Sequence, residues 1–429
     1  MEYQDVLDFL YTQLPEYQKI GAIAYKVGLN NTLALDNYFG NPHKNFCIIH
    51  VAGTNGKGSV SHTLASVLQH AGYKVGLYTS PHLKDFRERM RINGVMIPQS
   101  EVIGFVENNR KIIEEVAPSF FEMTTLMAFD WFSRSGVDVA VVEVGLGGRL
   151  DSTNIITPFV SVITNIGFDH VQMLGNTLPA IAMEKAGIIK PNVPVVVGET
   201  HSETSGVFIA KAEELNAPIC FADTIRSVVD ICYRDGKQMF KVAKSTEVEY
   251  ETLLLDLMGI YQRKNILTVL ATIDVLRRRF SISDTDVING VQSVVTTTGL
   301  KGRWQQLAQK PATFCDIGHN EDGIREVVEQ LKRHSYHRLH IVMGMVNDKD
   351  LEKVMVLLPK DAIYYFTNAA IERALKADLL QAKAAEFGLH GDCYPSVAQA
   401  IEAAKQNATP NDLIYIGGSA FVVAEIPEL

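Results

Sequence analysis

Apolar residues in this chain alternate between two patterns. Short runs rich in valine and isoleucine are bounded by glycine, proline and asparagine. Between them lie longer stretches in which apolar residues recur every three or four positions. The first run, Asn45 to Val51, predicts a buried strand. From Ser59 the period changes, with Val60, Leu64, Val67 and Leu68 on one helical face and Ala71-Gly72 as a stop. Further strands are predicted at Lys74–Tyr78, Val137–Val144, Phe159–Ile166, Val195–Val197 and Ile219–Phe221. VDVAVVEV is continuous enough for a central parallel strand covered on both faces. Residues 1–40 read as two helices around a turn, with GAIAYKVGLNNTLALDNYFG mixing apolar and small residues as core-covering helices do. Residues 101–135 read as helices, Thr177–Gly187 as a short helix capped by Thr177, and 224–256 as a small β-rich excursion. A long helix follows to Arg279, with Ile266, Val269, Leu270, Ile273 and Leu276 on its apolar face. VVTTTGLKGRW then breaks the period and marks a boundary near 296–301. Beyond it TFCDI, HIVMGM, AIYYFTN, LHGDCYP and LIYIGG alternate with amphipathic segments, as in a second doubly wound α/β domain.

Candidate chemistry gathers where predicted strands end. Between the first strand and its helix lies GTNGKGS, in which Gly53, Gly56 and Gly58 surround Lys57. Strand, glycine loop with lysine, then helix is the layout of a phosphate cradle, with backbone N–H groups and a helix N-terminus facing the anion. Lys57 would neutralise terminal phosphates and Ser59 could offer a hydroxyl to a metal. The spacing departs from the ordinary phosphate loop, since two residues separate Gly53 from Gly56-Lys57 and Gly58 stands between lysine and serine. Glu143 closes an apolar strand, where a buried carboxylate needs a partner: a lysine, an N–H cluster or a nucleotide-bound divalent cation. Ser80, His170 and the Asp316–Gly323 stretch also follow strand ends, where α/β sheets place ligand groups. Arg87, Arg89 and Arg91 at period two, before Asn93-Gly94, read as the solvated face of a hairpin. Glu184 beside Lys185 reads as a surface ion pair.

Length and composition narrow the class. At 429 residues, with 47% hydrophobic and 21% charged residues, the chain suits a globular enzyme of two domains. A formal charge of −9 argues against nucleic acid as the main partner. Five scattered cysteines without CxxC spacing read as mostly buried, reduced thiols. No apolar run is long enough for a membrane span, and MEYQDVLDFLYTQLPEY is not a signal peptide, so a cytoplasmic protein is expected, monomeric by default.

GTNGKGS, YTSP, GLGGRLDSTN, EKAGIIK, GIYQRKN and DIGHNEDG together resemble the Mur ligase family, and within it the folylpolyglutamate synthase/dihydrofolate synthase branch, over almost the whole chain. The resemblance implies a Mur-ligase-like P-loop ATPase domain over residues 1–296, carrying a folate pocket. It implies a smaller Rossmann-like glutamate-ligase domain over 297–429. It places ATP on Gly53, Thr54, Asn55, Gly56, Lys57, Gly58, Ser59, Asn265, Arg303 and Asp316. It places magnesium, in two sites, on Ser80, Glu143, His170 and a Lys185 open to carbamylation. Catalytic roles fall to Lys57, Lys185 and His319, and the folate pocket to Phe120, Phe121, Asp151 and Asn154. Ile317-Gly318, Glu321 and Leu300-Lys301 depart from the family pattern. The implied reaction joins L-glutamate to dihydropteroate or a reduced folate through an acyl phosphate, with ATP used across an interdomain cleft. The competing readings are a Mur-type ligase of cell-wall synthesis and a non-catalytic nucleotide-binding switch.

Overall fold

The computed structural model describes residues 2–14, 28–234, 236–347 and 351–429. Two compact units emerge. The first comprises 1–167, 171–256 and 262–300; the second comprises 168–170, 257–261 and 301–429.

The first unit is built on an eight-stranded sheet of order β4-β3-β2-β5-β1-β6-β7-β8. Its strands are β1 Cys47–Ala52, β2 Val75–Tyr78, β3 Met90–Ile92, β4 Val95–Met96, β5 Val139–Glu143, β6 Val160–Ile163, β7 Val195–Val197 and β8 Ile219–Phe221. The pairings along β2-β5-β1-β6-β7-β8 are parallel, and at one edge β3 pairs antiparallel with β2 and β4 antiparallel with β3. The last five positions of β1 and all of β5 and β6 are buried, as strands covered on both faces must be. Helices Gln99–Val116 and Phe120–Arg134 cover one face; the second starts at a capping box in which Ser119 Oγ accepts from Glu122 N and Glu122 Oε2 from Ser119 N. Their apolar sides join Tyr78, Ala140 and Val142 in one core. The β-rich excursion is a three-stranded antiparallel sheet, β9 Arg226–Arg234, β10 Lys237–Lys244 and β11 Glu247–Leu255. Buried Arg226 ties it to helix Gln262–Leu276 by pairing with Glu249 on β11 and Asp274 on the helix.

Two expectations fail here. Arg89 and Arg91 are not solvated, being 2% and 7% exposed. Arg87 to Arg89 form a 3-10 turn, so the period-two spacing never becomes a strand face. Arg89 Nε donates to His82 Nδ1 at 2.8 Å and its guanidinium lies over the Phe120 ring. The cysteines are not mostly buried: only Cys315 is, and Cys393 is exposed. Residues 15–27, which hold much of the segment between the two N-terminal helices, lie outside the described residues.

The second unit is a six-stranded sheet of order β12-β13-β17-β14-β15-β16. Its strands are β12 Gln305–Gln309, β13 Ala312–Cys315, β14 Leu339–Met343, β15 Ile363–Phe366, β16 Gly391–Cys393 and β17 Leu413–Gly417. The five strands read from the sequence are parallel; β12, which the sequence did not announce, adds antiparallel to β13. Trp304 stacks on Phe314 and Tyr415, with ring centroids 5.1 and 5.9 Å away, within the core of this unit. No helix among the described residues is long and apolar enough to cross a membrane.

Candidate active site

The parallel register decides which residues meet at the carboxyl edge of the first sheet. Val51 lies opposite Glu143 and Ala52 opposite Ile163, so β1, β5 and β6 end together, with the glycine loop leaving from the middle strand. Gly53 has φ +147, and a Cβ there would overlap the Thr164 hydroxyl, so the position demands glycine twice over. Gly56, also left-handed, caps helix Lys57–His70, and a Cβ on it would strike Asn265 Oδ1. Asn265 Nδ2 donates to Gln262 Oε1 at 2.8 Å, and Gln262 Nε2 to Ser59 Oγ at 3.1 Å. The head of helix Gln262–Leu276 thus lies directly against the loop. The Ser59 hydroxyl is buried in that contact.

Two lysines converge on one carbonyl. Lys57 Nζ donates to Gly53 O at 3.1 Å and to Thr54 O at 3.2 Å, and Lys185 Nζ donates to Gly53 O at 2.8 Å. The expected surface pair between Glu184 and Lys185 is absent from this arrangement: Glu184 pairs with Arg149, and Lys185 is only 4% exposed. Helix Leu178–Ala186 turns successive side chains by about 100°, which sends one outward and the next in.

Glu143 is 3% exposed at the tip of β5, with Ser80 N 3.4 Å from its Oε2. Among the described residues no group of three or more His, Cys, Asp or Glu gathers as a metal cage. Magnesium bound with a nucleotide needs no cage, since one or two protein oxygens complete a shell of phosphate oxygens and water. The buried carboxylate of Glu143 and the Ser80 hydroxyl are hard oxygen donors of that kind, so the donor set fits.

The loop after β5 is held from within. Asp151 accepts from Leu146 N, Thr153 N and Thr153 Oγ1, and burial raises its pKa. Because the Thr153 hydroxyl proton goes to Asp151, His50 Nε2, 2.8 Å away, must be its donor. Burial, with Lys190 nearby, lowers the His50 pKa to about 3, so this imidazole stays neutral. Asn154 Nδ2 donates to the Arg149 and Gly187 carbonyls. Phe120 is buried in the core against Tyr11 and Phe86, whereas Phe121 packs on Gly145 at the loop itself.

In the second unit, Asp316 accepts from Tyr261 Oη at 2.6 Å, Trp304 N at 2.7 Å and Gly318 N at 2.7 Å. Burial raises its pKa. His319 Nδ1 lies 2.9 Å from Ile317 O and Nε2 3.0 Å from Asp169 Oδ2, an oxygen that also accepts from Asn320 Nδ2. His170 has a left-handed backbone, φ +50, with its N–H on Asp169 Oδ1. Non-glycine residues held there concentrate at functional sites. Arg303 Nη1 faces the Lys301 and Gly302 carbonyls. Thr164, Asn165, Asp169, Tyr261 and Gln262 were not singled out from the sequence. Tyr261 and Gln262 lay inside GIYQRKN, and Asn165 and Asp169 in the stretch from the strand end to His170.

A glycine loop with lysine, opening a helix between two parallel strands of which one ends in a buried carboxylate, defines a nucleotide-dependent α/β enzyme. The Mur ligase middle domain matches residues 51–273, and the Mur ligase glutamate ligase domain matches residues 302–420. The dihydrofolate synthase/folylpolyglutamate synthase of Bacillus subtilis is 33% identical over 441 residues, covering 99% of this chain and 98% of the relative. The chain spans about half the length of a probable bifunctional folylpolyglutamate synthase/dihydropteroate synthase of Haloferax volcanii, 33% identical over 432 residues that cover 99% of this chain and 50% of the relative. Among solved structures, the Escherichia coli FolC protein in complex with DHPP and ADP superposes with TM-score 0.84 at 30% identity, over 98% of this chain and 96% of that one. The Mycobacterium tuberculosis folylpolyglutamate synthase complexed with ADP gives 0.89 at 28% identity, over the same shares of the two chains. This chain belongs to the Mur ligase family, in its folylpolyglutamate synthase/dihydrofolate synthase branch, and is an ATP-dependent ligase of folate metabolism.

Proposed function

We infer that the protein joins L-glutamate to dihydropteroate, to a reduced folate, or to both. The observation that carries this reading is the alignment of three strand ends, which brings the glycine loop beside the buried carboxylate of Glu143 in a chain with both Mur ligase domains. A free carboxylate is a poor electrophile. Its oxygen therefore attacks the γ-phosphorus of ATP, an O–P bond forms, the bridging P–O bond breaks and ADP leaves. The glutamate nitrogen then attacks the acyl carbon, phosphate departs with its oxygen, and the amine gives up a proton.

Lys57, at the N-terminus of its helix, balances charge on the transferring phosphoryl group. Magnesium, when bound, supplies further charge neutralisation at the phosphate oxygens. Ser80, Glu143, His170 and Lys185 are its proposed ligands, at two positions. A related Yersinia pestis enzyme was solved with AMPPNP and a manganese ion, 28% identical and TM-score 0.84. Lys185 serves as a ligand once carbamylated, which replaces its cation by a carboxylate; an intact native mass in bicarbonate without the added group removes that role. Asn265 and Asp316 are assigned to the nucleotide side of the site. Phe121, Asp151 and Asn154 are assigned to the acceptor side, with Phe120 behind them.

We assign His319 and Arg303 to the phosphates and to orientation of the reacting groups. His319→Ala should lower turnover roughly 10²-fold, the low end for a positioned electrostatic group. Normal ligation with normal ATP affinity would remove His319 from this role. ATP-dependent phosphate release with glutamate, comparing dihydropteroate and tetrahydrofolate, tests the function itself. Turnover with either acid supports the reading and defines the acceptor range. Silence with both, in magnesium and bicarbonate, sinks it.

A further inference from the structure

The glycine loop is fastened to the strand beside it. Thr54 N donates to Asn165 O at 2.9 Å and Asn55 N to Asn165 Oδ1 at 2.8 Å. In return Thr164 Oγ1 donates to Asn55 O at 2.6 Å. The Thr54 hydroxyl donates to Gly167 O at 3.1 Å and accepts from Gly167 N at 3.0 Å. These contacts link residues more than a hundred positions apart, and Thr164 is buried. Its backbone extends the β1–β6 ladder through Thr164 N to Ala52 O, so the side chain is delivered to the loop by the sheet.

The consequence concerns which amides remain for an anion. The first helical bond runs from Val60 N to Gly56 O. The amides of Lys57, Gly58 and Ser59 precede it and have no partner within the helix. We propose that Thr164 and Asn165 are positioning residues that divide the loop. They hold the amides of Thr54 and Asn55 as scaffold, leaving those of Lys57, Gly58 and Ser59 to bind the nucleotide phosphates. This rests on the nucleotide reading of the site and narrows the contacts assigned there: Thr54 and Asn55 shape the loop rather than touch phosphate. Glycine at 53 is the counterpart of the same device, because only a residue without Cβ lets the Thr164 hydroxyl reach the Asn55 carbonyl.

The test combines residue-resolved hydrogen exchange with ADP titration calorimetry in magnesium. In the nucleotide-free protein the Thr54 and Asn55 amides should exchange slowly and change little on saturation with ADP. Those of Lys57 to Ser59 should gain protection from ADP. Thr164→Val keeps size but deletes the hydroxyl, and should weaken ADP about tenfold while the thermal midpoint stays within about 2 °C, on the scale of one lost hydrogen bond. Thr164→Ser keeps the donor and should stay within about twofold of the parent. Fast Thr54 and Asn55 exchange that ADP suppresses would overturn the proposal. So would unaltered ADP affinity in Thr164→Val, or an equal loss in both variants. Failure of the parent protein to bind ADP would instead refute the nucleotide reading, and exchange in the free protein would still judge the scaffold.

Discussion

Replacing Lys57 by alanine should cut turnover by roughly 10²–10³-fold, the range seen when one preorganised donor to a developing charge is removed. The side chain leaves the first turn of its helix and rests on the Gly53 and Thr54 carbonyls, so its charge is already held at the loop before substrate arrives. Its loss removes a full cation from a place where the helix N-terminus offers only partial charge. Stability should change little, because among the described residues the Lys57 side chain makes no ion pair and bonds only to the Gly53 and Thr54 carbonyls. Phosphate release under saturating glutamate and acceptor, alongside a thermal melt, measures both. A loss below tenfold would take Lys57 out of the phosphoryl-transfer step.

Trp304→Ala should cost the second unit about 3 kcal/mol, toward the lower end of the range for deleting a buried aromatic. Trp304 is almost wholly buried, sandwiched by Phe314 and Tyr415 and tilted against His334. Its Nε1 is buried without a hydrogen-bond partner among the described residues, so truncation also relieves a desolvated donor. That offset is why the lower end is chosen. Trp131, the chain's other tryptophan, lies in the first unit, so during urea unfolding of the variant its fluorescence reports that unit alone while far-UV circular dichroism reports both. A shift under about 1 kcal/mol, or one confined to the Trp131 signal, would contradict the assignment.

What could be read in advance followed from periodicity. The switch from the strand before Gly53 to helical spacing after Ser59 is local, and so are the all-apolar runs around Val141 and Val162; each became the element expected. Strand β12 escaped because Gln305–Gln309 is a half-exposed edge strand with only Leu307 and Ala308 to mark it. Arg89 and Arg91 misled for a different reason. Alternating arginines look alike whether they face water or protein, and burial is decided by distant residues, Phe120 beneath Arg89 and Gly299 beside Arg91. Lys185 shows the same limit: adjacency to Glu184 suggested a pair, but helical geometry sent the two side chains apart. The site's chemistry-bearing residues stood at strand ends and could be found there. The residues that hold them, Thr164 and Asn165 for the loop and Tyr261 for Asp316, act across long sequence separations and carry no local signature.

The second unit draws on three separate stretches of chain, and this governs how the gene can be dissected. A fragment beginning at Lys301 would lack Leu257–Tyr261, and with it the Tyr261 hydroxyl on Asp316 and the Ile260 amide on Gln330. It would leave a buried carboxylate short of one donor and a buried glutamine short of one of its partners, each a cost on the order of 1–3 kcal/mol. A chimera that exchanges the second unit with a relative should therefore carry Phe168–His170 and Leu257–Tyr261 across from the same parent as 301–429, and leave 262–300 with the first unit.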